Sequence, residues 1–494
     1  MVNGDDLREI VSGHQEWLLI REAGRTFPLE KHEIEVVNDG DKLHFGFLDD
    51  NGFHSWRLNG FEHLENEVSI DVAGAFARNR ETMRLVPRAA AADLLAEIER
   101  ARLEKANEIA ALIKSSDAAI KLGRVALNEE NGRFAQILFD AADRTPMAAI
   151  ADVTGKLTVE SIFTAAMTWL EKLGLRRKKA VNDLWIICEK RQAKNAQKLH
   201  ALLTERWKSK LTILEIDRKP DTPILREMTK RKIRELWREK APKLNVPASS
   251  ALSGTAAAVM TFAPDAIDVV YSRHGETVRF HGLPFARVRM MAGQEKTWFG
   301  TGPDRRPLTA ENEIALDHLI ETLGCKRSFG TTNKRHDFYR SSPEAWLESL
   351  LRRDIRLLDA NLILSPIYNQ FRSSNDKIDL LALRKDGRLV IIELKTQPDR
   401  ESVFQSIDYW RKIELQRRRG ILANADLFEG REVLDKPAII YLAAPAWTFH
   451  RDFEFFARAV SPEIELWRFE LHENWRERVR VIARRTYSDG LTKR

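Results

Sequence analysis

The chain has 494 residues, 43% hydrophobic and 31% charged, the composition of a folded soluble protein too long for a single core. Its net charge of +7 and pI of about 9.2 favour a polyanionic partner without requiring one. No apolar run approaches the roughly 18 residues of a membrane helix. The acidic start MVNGDDLREI lacks the apolar stretch of a secretory signal, so a cytoplasmic protein is expected. Cys188 and Cys325 form no metal-ligand spacing and read as buried, reduced thiols.

Residues 1–90 alternate apolar and polar side chains in short runs (HEIEVV, KLHFGFL, HSWRL). Asn38-Asp39-Gly40 and Asp50-Asn51-Gly52 punctuate them, which predicts a small β-rich domain with tight turns. Residues 91–120 are expected to be a connecting helix, with Leu94, Leu95, Ile98, Leu103, Ile109 and Leu112 at helical spacing. Residues 121–220 alternate strand-like runs (FAQILF, MAAIADV, DLWIIC, LTILEID) with helical ones, which predicts a parallel α/β domain. It carries no phosphate-binding glycine loop. Residues 221–258 are read as a basic helix, Ile224–Lys240, followed by the linker-like VPASSALSGTAAA. Residues 259–340 predict a β-rich connecting module with a helix over Glu311–Leu323, and residues 341–494 a second α/β domain.

That last domain carries the chemistry. In SSNDKIDLLALRKDGRLVIIELKTQPDRESVFQSIDYW, Glu393 and Lys395 lie two apart on a strand and share a face. The loop before that strand decides where Asp379 falls. A two-residue Asp386-Gly387 loop would pair Asp379 with Leu394 and turn its carboxylate to the wrong side. A three-residue Lys385-Asp386-Gly387 loop, with Gly387 left-handed, pairs Asp379 with Glu393 and is expected. Both faces of this hairpin are otherwise apolar, so the sheet is expected to be covered on both sides, where three charged groups need a purpose. Two carboxylates and an amine suit phosphodiester hydrolysis: Asp379 and Glu393 as ligands of Mg²⁺, Lys395 orienting water. Gln405 and Tyr409, four apart on a helix, share a face and are expected to support the site.

Asp379…Glu393-Leu-Lys395 resembles the D…ExK core of the PD-(D/E)XK, restriction-endonuclease-like superfamily. FQSIDYW resembles the Q-x-x-x-Y motif of its RecB-like exonuclease branch, and GRLVIIELK resembles a strand of archaeal-type mismatch-directed endonucleases. The resemblance implies an α/β/α domain with a mixed sheet, Mg²⁺ or Mn²⁺ dependence, DNA cleavage, and a role in repair or in defence against foreign DNA. It also implies a glutamate on the preceding helix, SSPEAWLESLLRRDIRLL: Glu344, with Glu348 as the alternate and metal-ligand roles for Asp379, Glu393 and Glu344. Ser341-x-x-Glu344 reads equally as a capping box, or Ser342 as the N-cap ahead of Pro343. Arg411, Lys412, Arg417, Arg418 and Arg419 are candidate DNA-phosphate contacts or, equally, a solvated helix end. The alternatives are an RNA nuclease, or a nucleic-acid-binding or scaffold protein on an inactive nuclease fold. A protein partner or homo-oligomer is compatible with either.

Overall fold

Alternation in the first ninety residues is realised as a seven-stranded antiparallel sheet in the computed structural model. The structure describes residues 4–21, 26–39, 42–49, 52–64, 66–73, 80–88, 91–175, 180–219 and 222–241. Beyond these it describes 252–272, 275–291, 294–302, 305–364, 372–373, 376–377, 379–428 and 430–487. Both N-terminal turn glycine motifs fall partly outside the described residues. The chain divides into two units, Met1–Leu157 with Gly302–Asp304, and Thr158–Thr301 with Arg305–Arg494. No helix among the described residues is long and apolar enough to cross a membrane.

In the first unit, one face of the seven-stranded sheet buries Trp17, Phe45, Phe47, Ile70 and Met83. The helix expected to follow spans Ala91–Ser116. The runs Phe134–Asp140 and Pro146–Asp152 are strands, as expected, but they run antiparallel. The physical reason is the connection: Ala141–Thr145 is closed by an Ala141 N–H to Thr145 C=O bond of 2.9 Å. So short a link permits a hairpin and no crossover.

In the second unit, Asp183–Glu189 and Leu211–Asp217 are parallel, with helices Lys190–Ala201 and Glu205–Lys210 between them. The basic helix expected over Ile224–Lys240 does not form. Ile224–Glu227 pairs antiparallel with Asp217–Leu214, held also by an Arg226–Asp217 ion pair of 2.7 Å, and only Ile233–Leu236 is helical. Tertiary strand pairing has overridden local helical preference. Part of the expected linker is likewise ordered. Residues 242–251 lie outside the described set, but Ser253 caps a helix over Gly254–Phe262. The β-rich module then appears as a five-stranded antiparallel sheet with a helix over Glu313–Lys326. On that helix Cys325 is exposed, contrary to expectation, whereas Cys188 is buried.

The C-terminal region starts with helix α1 (Pro343–Arg353). A mixed sheet follows, in spatial order β1 (Leu362–Leu364), β2 (Leu380–Arg384), β3 (Leu389–Leu394), β4 (Ile439–Pro445), β5 (Glu465–Leu471) and β6 (Val481–Thr486). Strands β3, β4 and β5 are parallel; the others join antiparallel. Crossovers between the parallel strands carry α2 (Ser402–Arg418) and the short α3 (Phe453–Ala457). All six residues of β3 are buried, as a central strand covered on both faces requires.

Candidate active site

The β2–β3 hairpin closes through Lys385-Asp386-Gly387. Arg384 donates its N–H to Arg388 C=O and Gly387 donates to Arg384 C=O, both at 2.8 Å. Gly387 sits at φ +81°, and a Cβ there would come within 2.7 Å of the Leu434 side chain. Both facts demand glycine. The register runs Leu383↔Leu389, Ala382↔Val390, Leu381↔Ile391 and Leu380↔Ile392. Carried one residue further, it places Asp379 across from Glu393, as the three-residue loop predicts.

Asp379 Oδ2 accepts the backbone N–H of Leu394 at 2.9 Å. Lys395, which begins the segment after β3, is held by three groups: Glu393 Oε1 at 3.1 Å, Asp399 Oδ2 at 2.9 Å and Gln405 Oε1 at 3.0 Å. Burial opposes the Lys395 charge, but Glu393, Asp399 and Glu344 outweigh it and raise its pKa above the ordinary lysine range. Glu393 is pushed the other way relative to its charged form. Burial and then the Asp379 charge raise its pKa well above the usual carboxylate value, with Glu344 adding to the effect. Glu393 Oε2 is buried and has no hydrogen-bond partner.

Glu344, in the first turn of α1, therefore bears electrostatically on both Glu393 and Lys395. Glu348 does not serve this site: it is buried against Arg279 (3.4 Å) and Arg352 (3.8 Å). Ser342 occupies the N-cap position with Pro343 next, at φ +45° and without a side-chain cap bond, so the capping box is not made. What holds this strained helix entry is Arg327, fully buried, whose guanidinium donates to the carbonyls of Phe280, His281, Phe338, Ser341 and Ser342. Behind it Gly282, at φ +78°, lies so close to α1 that a Cβ would sit 2.0 Å from Ala345 O. The β-rich module thus sets the entry of the helix that carries Glu344. Asp399 and Arg327 were not legible in sequence as site residues. An Asp ahead of a helix reads as an ordinary terminus, and a lone Arg far upstream gives no signal.

Tyr409 lies one turn beyond Gln405 on α2, with the Lys412 ammonium 5.6 Å from its ring centroid. The basic run on α2 has partners within the protein, although Arg418 and Arg419 remain exposed. Arg417 is buried against Glu414 at 2.8 Å and also pairs with Asp435. Arg411 and Lys412 bond Asp408 at 2.7 and 2.8 Å. Arg418 stacks over Trp237, and Arg419 donates to Glu239 C=O at 3.0 Å. The carboxylates and carbonyls that satisfy them come from distant sequence, or from Glu414 and Asp408 one turn back on the same helix.

The donor set consists of hard carboxylate oxygens, and one of them is buried without a partner. Glu393 and Asp399 pair with the one Lys395 ammonium, and Asp379 and Glu344 add their charges at Glu393, a crowding of carboxyl groups in a low-dielectric place that a divalent cation would offset. Among the described residues no three such side chains already surround a common point as a metal would require. Asp379 is turned to the Leu394 amide and Glu393 Oε1 to Lys395. A narrow cleft opens beside these groups, lined by Lys395, Asp399, Ser402, Thr448, Phe449 and His450.

No family model matches this chain, and no curated protein matches it significantly. Solved structures similar to it include EndoMS in its apo form, at 13% identity over 40% of this chain and 92% of that one, with a TM-score of 0.14. A repair endonuclease from Pyrococcus abyssi is 12% identical over 42% of this chain and 88% of that one, with a TM-score of 0.13. At TM-scores this low, the functional reading rests on the geometry of the site alone.

Proposed function

We propose that this protein is a divalent-metal-dependent nuclease that hydrolyses DNA phosphodiester bonds, with a PD-(D/E)XK-like core within residues 341–494. The observation that carries the reading is the hairpin register. With that register ending at Leu380↔Ile392, the Asp379 carboxylate accepts the Leu394 N–H, next to Glu393 and a Lys395 ammonium clamped by Glu393, Asp399 and Gln405.

Asp379, Glu393 and Glu344 are the residues that would hold Mg²⁺ or Mn²⁺. The bound cation would supply Lewis acidity, polarising the phosphate and easing deprotonation of water. Lys395, kept charged by its acidic neighbours, donates to the phosphate oxygens on which negative charge grows. Gln405 fixes the direction in which the ammonium points. Water oxygen then bonds to phosphorus, one P–O ester bond breaks, and the departing oxygen takes a proton. Incubating the full chain with linear, circular and single-stranded DNA and with RNA, in Mg²⁺, Mn²⁺ or EDTA, tests this. DNA cleavage that EDTA abolishes is expected; no cleavage of any DNA would refute it.

A further inference from the structure

All twelve tryptophans of the chain lie among the described residues, and eleven of them are buried or half-buried. Trp447 alone is exposed, at 85%. It sits in the single helical turn Ala446–Thr448 that leaves the end of β4. The next three residues, Thr448, Phe449 and His450, line the cleft that also contains Lys395 and Asp399.

The backbone beneath this indole is fastened. Trp447 donates its N–H to Glu473 Oε1 at 2.9 Å, and the Thr448 hydroxyl donates to Pro445 C=O at 2.9 Å. Phe449 packs edge-on against Phe453 at 4.9 Å, with the Arg468 guanidinium 4.0 Å from its ring centroid. His450 Nδ1 accepts the Asp452 N–H at 3.1 Å. A rigid loop therefore presents a large apolar ring to water while anchoring its neighbours. Its position follows from the sheet: Lys395 donates its backbone N–H to Ala443 C=O at 3.0 Å. Trp447 is four residues further on, so at most about 14 Å of chain separates it from that contact. At roughly 3.4 Å per nucleotide along a strand, that backbone span corresponds to about four nucleotides, before the reach of the two side chains is added.

We infer that Trp447 is a stacking platform for a nucleobase of the DNA strand being cut, close to the scissile phosphate. A protein partner would need a wider apolar patch, whereas Trp447 is followed by the polar Thr448 and His450 and the exposed cation Arg451. A flat exposed ring offers a stacking face to a base of any sequence; the charge in contact with its backbone is the Glu473 carboxylate, so the phosphate contact falls to Lys395. This inference rests on the nuclease reading above.

The test uses the full chain, W447A and W447F, and DNA oligonucleotides carrying 2-aminopurine near the cleavage site, in Mg²⁺. Unaltered protein quenches the 2-aminopurine emission on binding. W447A loses that quench and raises KM about 10-fold, the order expected for one base–aromatic stack, while kcat stays within about twofold; W447F keeps most of both. An unchanged KM and quench in W447A overturn the inference and leave the nuclease reading intact. So does a fall in kcat at constant KM. Trp447-dependent binding without cleavage by the unaltered chain refutes the nuclease, and with it the placing of Trp447 on a strand being cut; no DNA binding at all refutes both.

Discussion

Asp379 and Leu394 are joined by a side-chain-to-backbone hydrogen bond of 2.9 Å, which ties the Asp379 carboxylate to the strand between Glu393 and Lys395. A one-residue slip would exchange the faces of every side chain on the hairpin and separate the two carboxylates. The first prediction follows. Asp379→Asn and Glu393→Gln should each reduce DNA cleavage by on the order of 10²-fold or more and weaken metal binding in calorimetry, while circular dichroism stays unchanged. Lys395→Met should lose turnover and keep metal binding. Full activity in either carboxylate variant would remove both from the site.

The two glutamates of α1 should separate cleanly. Glu344→Gln should lower metal affinity and activity with little change in Tm. Glu348→Ala breaks a buried pairing with Arg279 and Arg352, so it should cost about 3 kcal/mol of stability. The reverse pattern, in cleavage assays and thermal melts of both variants, would exchange their roles.

Gly282→Ala should act on the same helix from the other side. Its positive φ and the 2.0 Å approach to Ala345 O leave no room for a methyl group. A loss of at least about 1–3 kcal/mol is expected from backbone strain alone, measured by urea unfolding. A neutral substitution would mean that the module does not press on α1.

Arg417→Met should destabilise the protein rather than weaken its hold on DNA. Glu414 would stay buried with less compensation, whereas the salt dependence of DNA binding should keep its slope, because no phosphate contact is removed. A slope shallower by about one unit would restore Arg417 as a DNA contact.

Glu160 gives the pH dependence. Burial, then Asp408 and Glu401, raises its pKa from 4.5 to about 7. Below pH 4.5 the carboxyl is neutral in both folded and unfolded chains and contributes no difference. Between 4.5 and 7 the unfolded chain has released the proton and the folded one still binds it. Stability due to this group therefore falls as pH rises through that window and stays low above it, by at most about 3 kcal/mol. Glu160→Gln should raise Tm at pH 8 and leave it nearly unchanged at pH 4.5. Equal effects at both values would show that Glu160 does not titrate in this range.

How much of the site was legible depended on sequence distance. The Asp379–Glu393–Lys395 arrangement could be read because it lies within one hairpin: a strand period of two and a loop ending in Gly387 settle it by local geometry. The antiparallel pairing of Phe134–Asp140 with Pro146–Asp152 was legible in the same way, from its short connection, but a pattern of alternating strands and helices obscured it. Glu344 and Glu348 are one helical turn apart and share a face in sequence. Only Arg279, sixty-nine residues upstream of Glu348, decided which was taken up structurally. The strand at Ile224–Glu227 and the internal pairing of Arg417 with Asp435 likewise depend on partners that no local pattern encodes. Trp447 carries no signal in the sequence; its exposure is settled only when the chain folds. Local periodicity and turn chemistry determined the Leu380–Leu394 hairpin. The tertiary structure decided which remaining charges and rings were spent inside the protein and which were left facing solvent, because burial is a property of the assembled core and not of a segment.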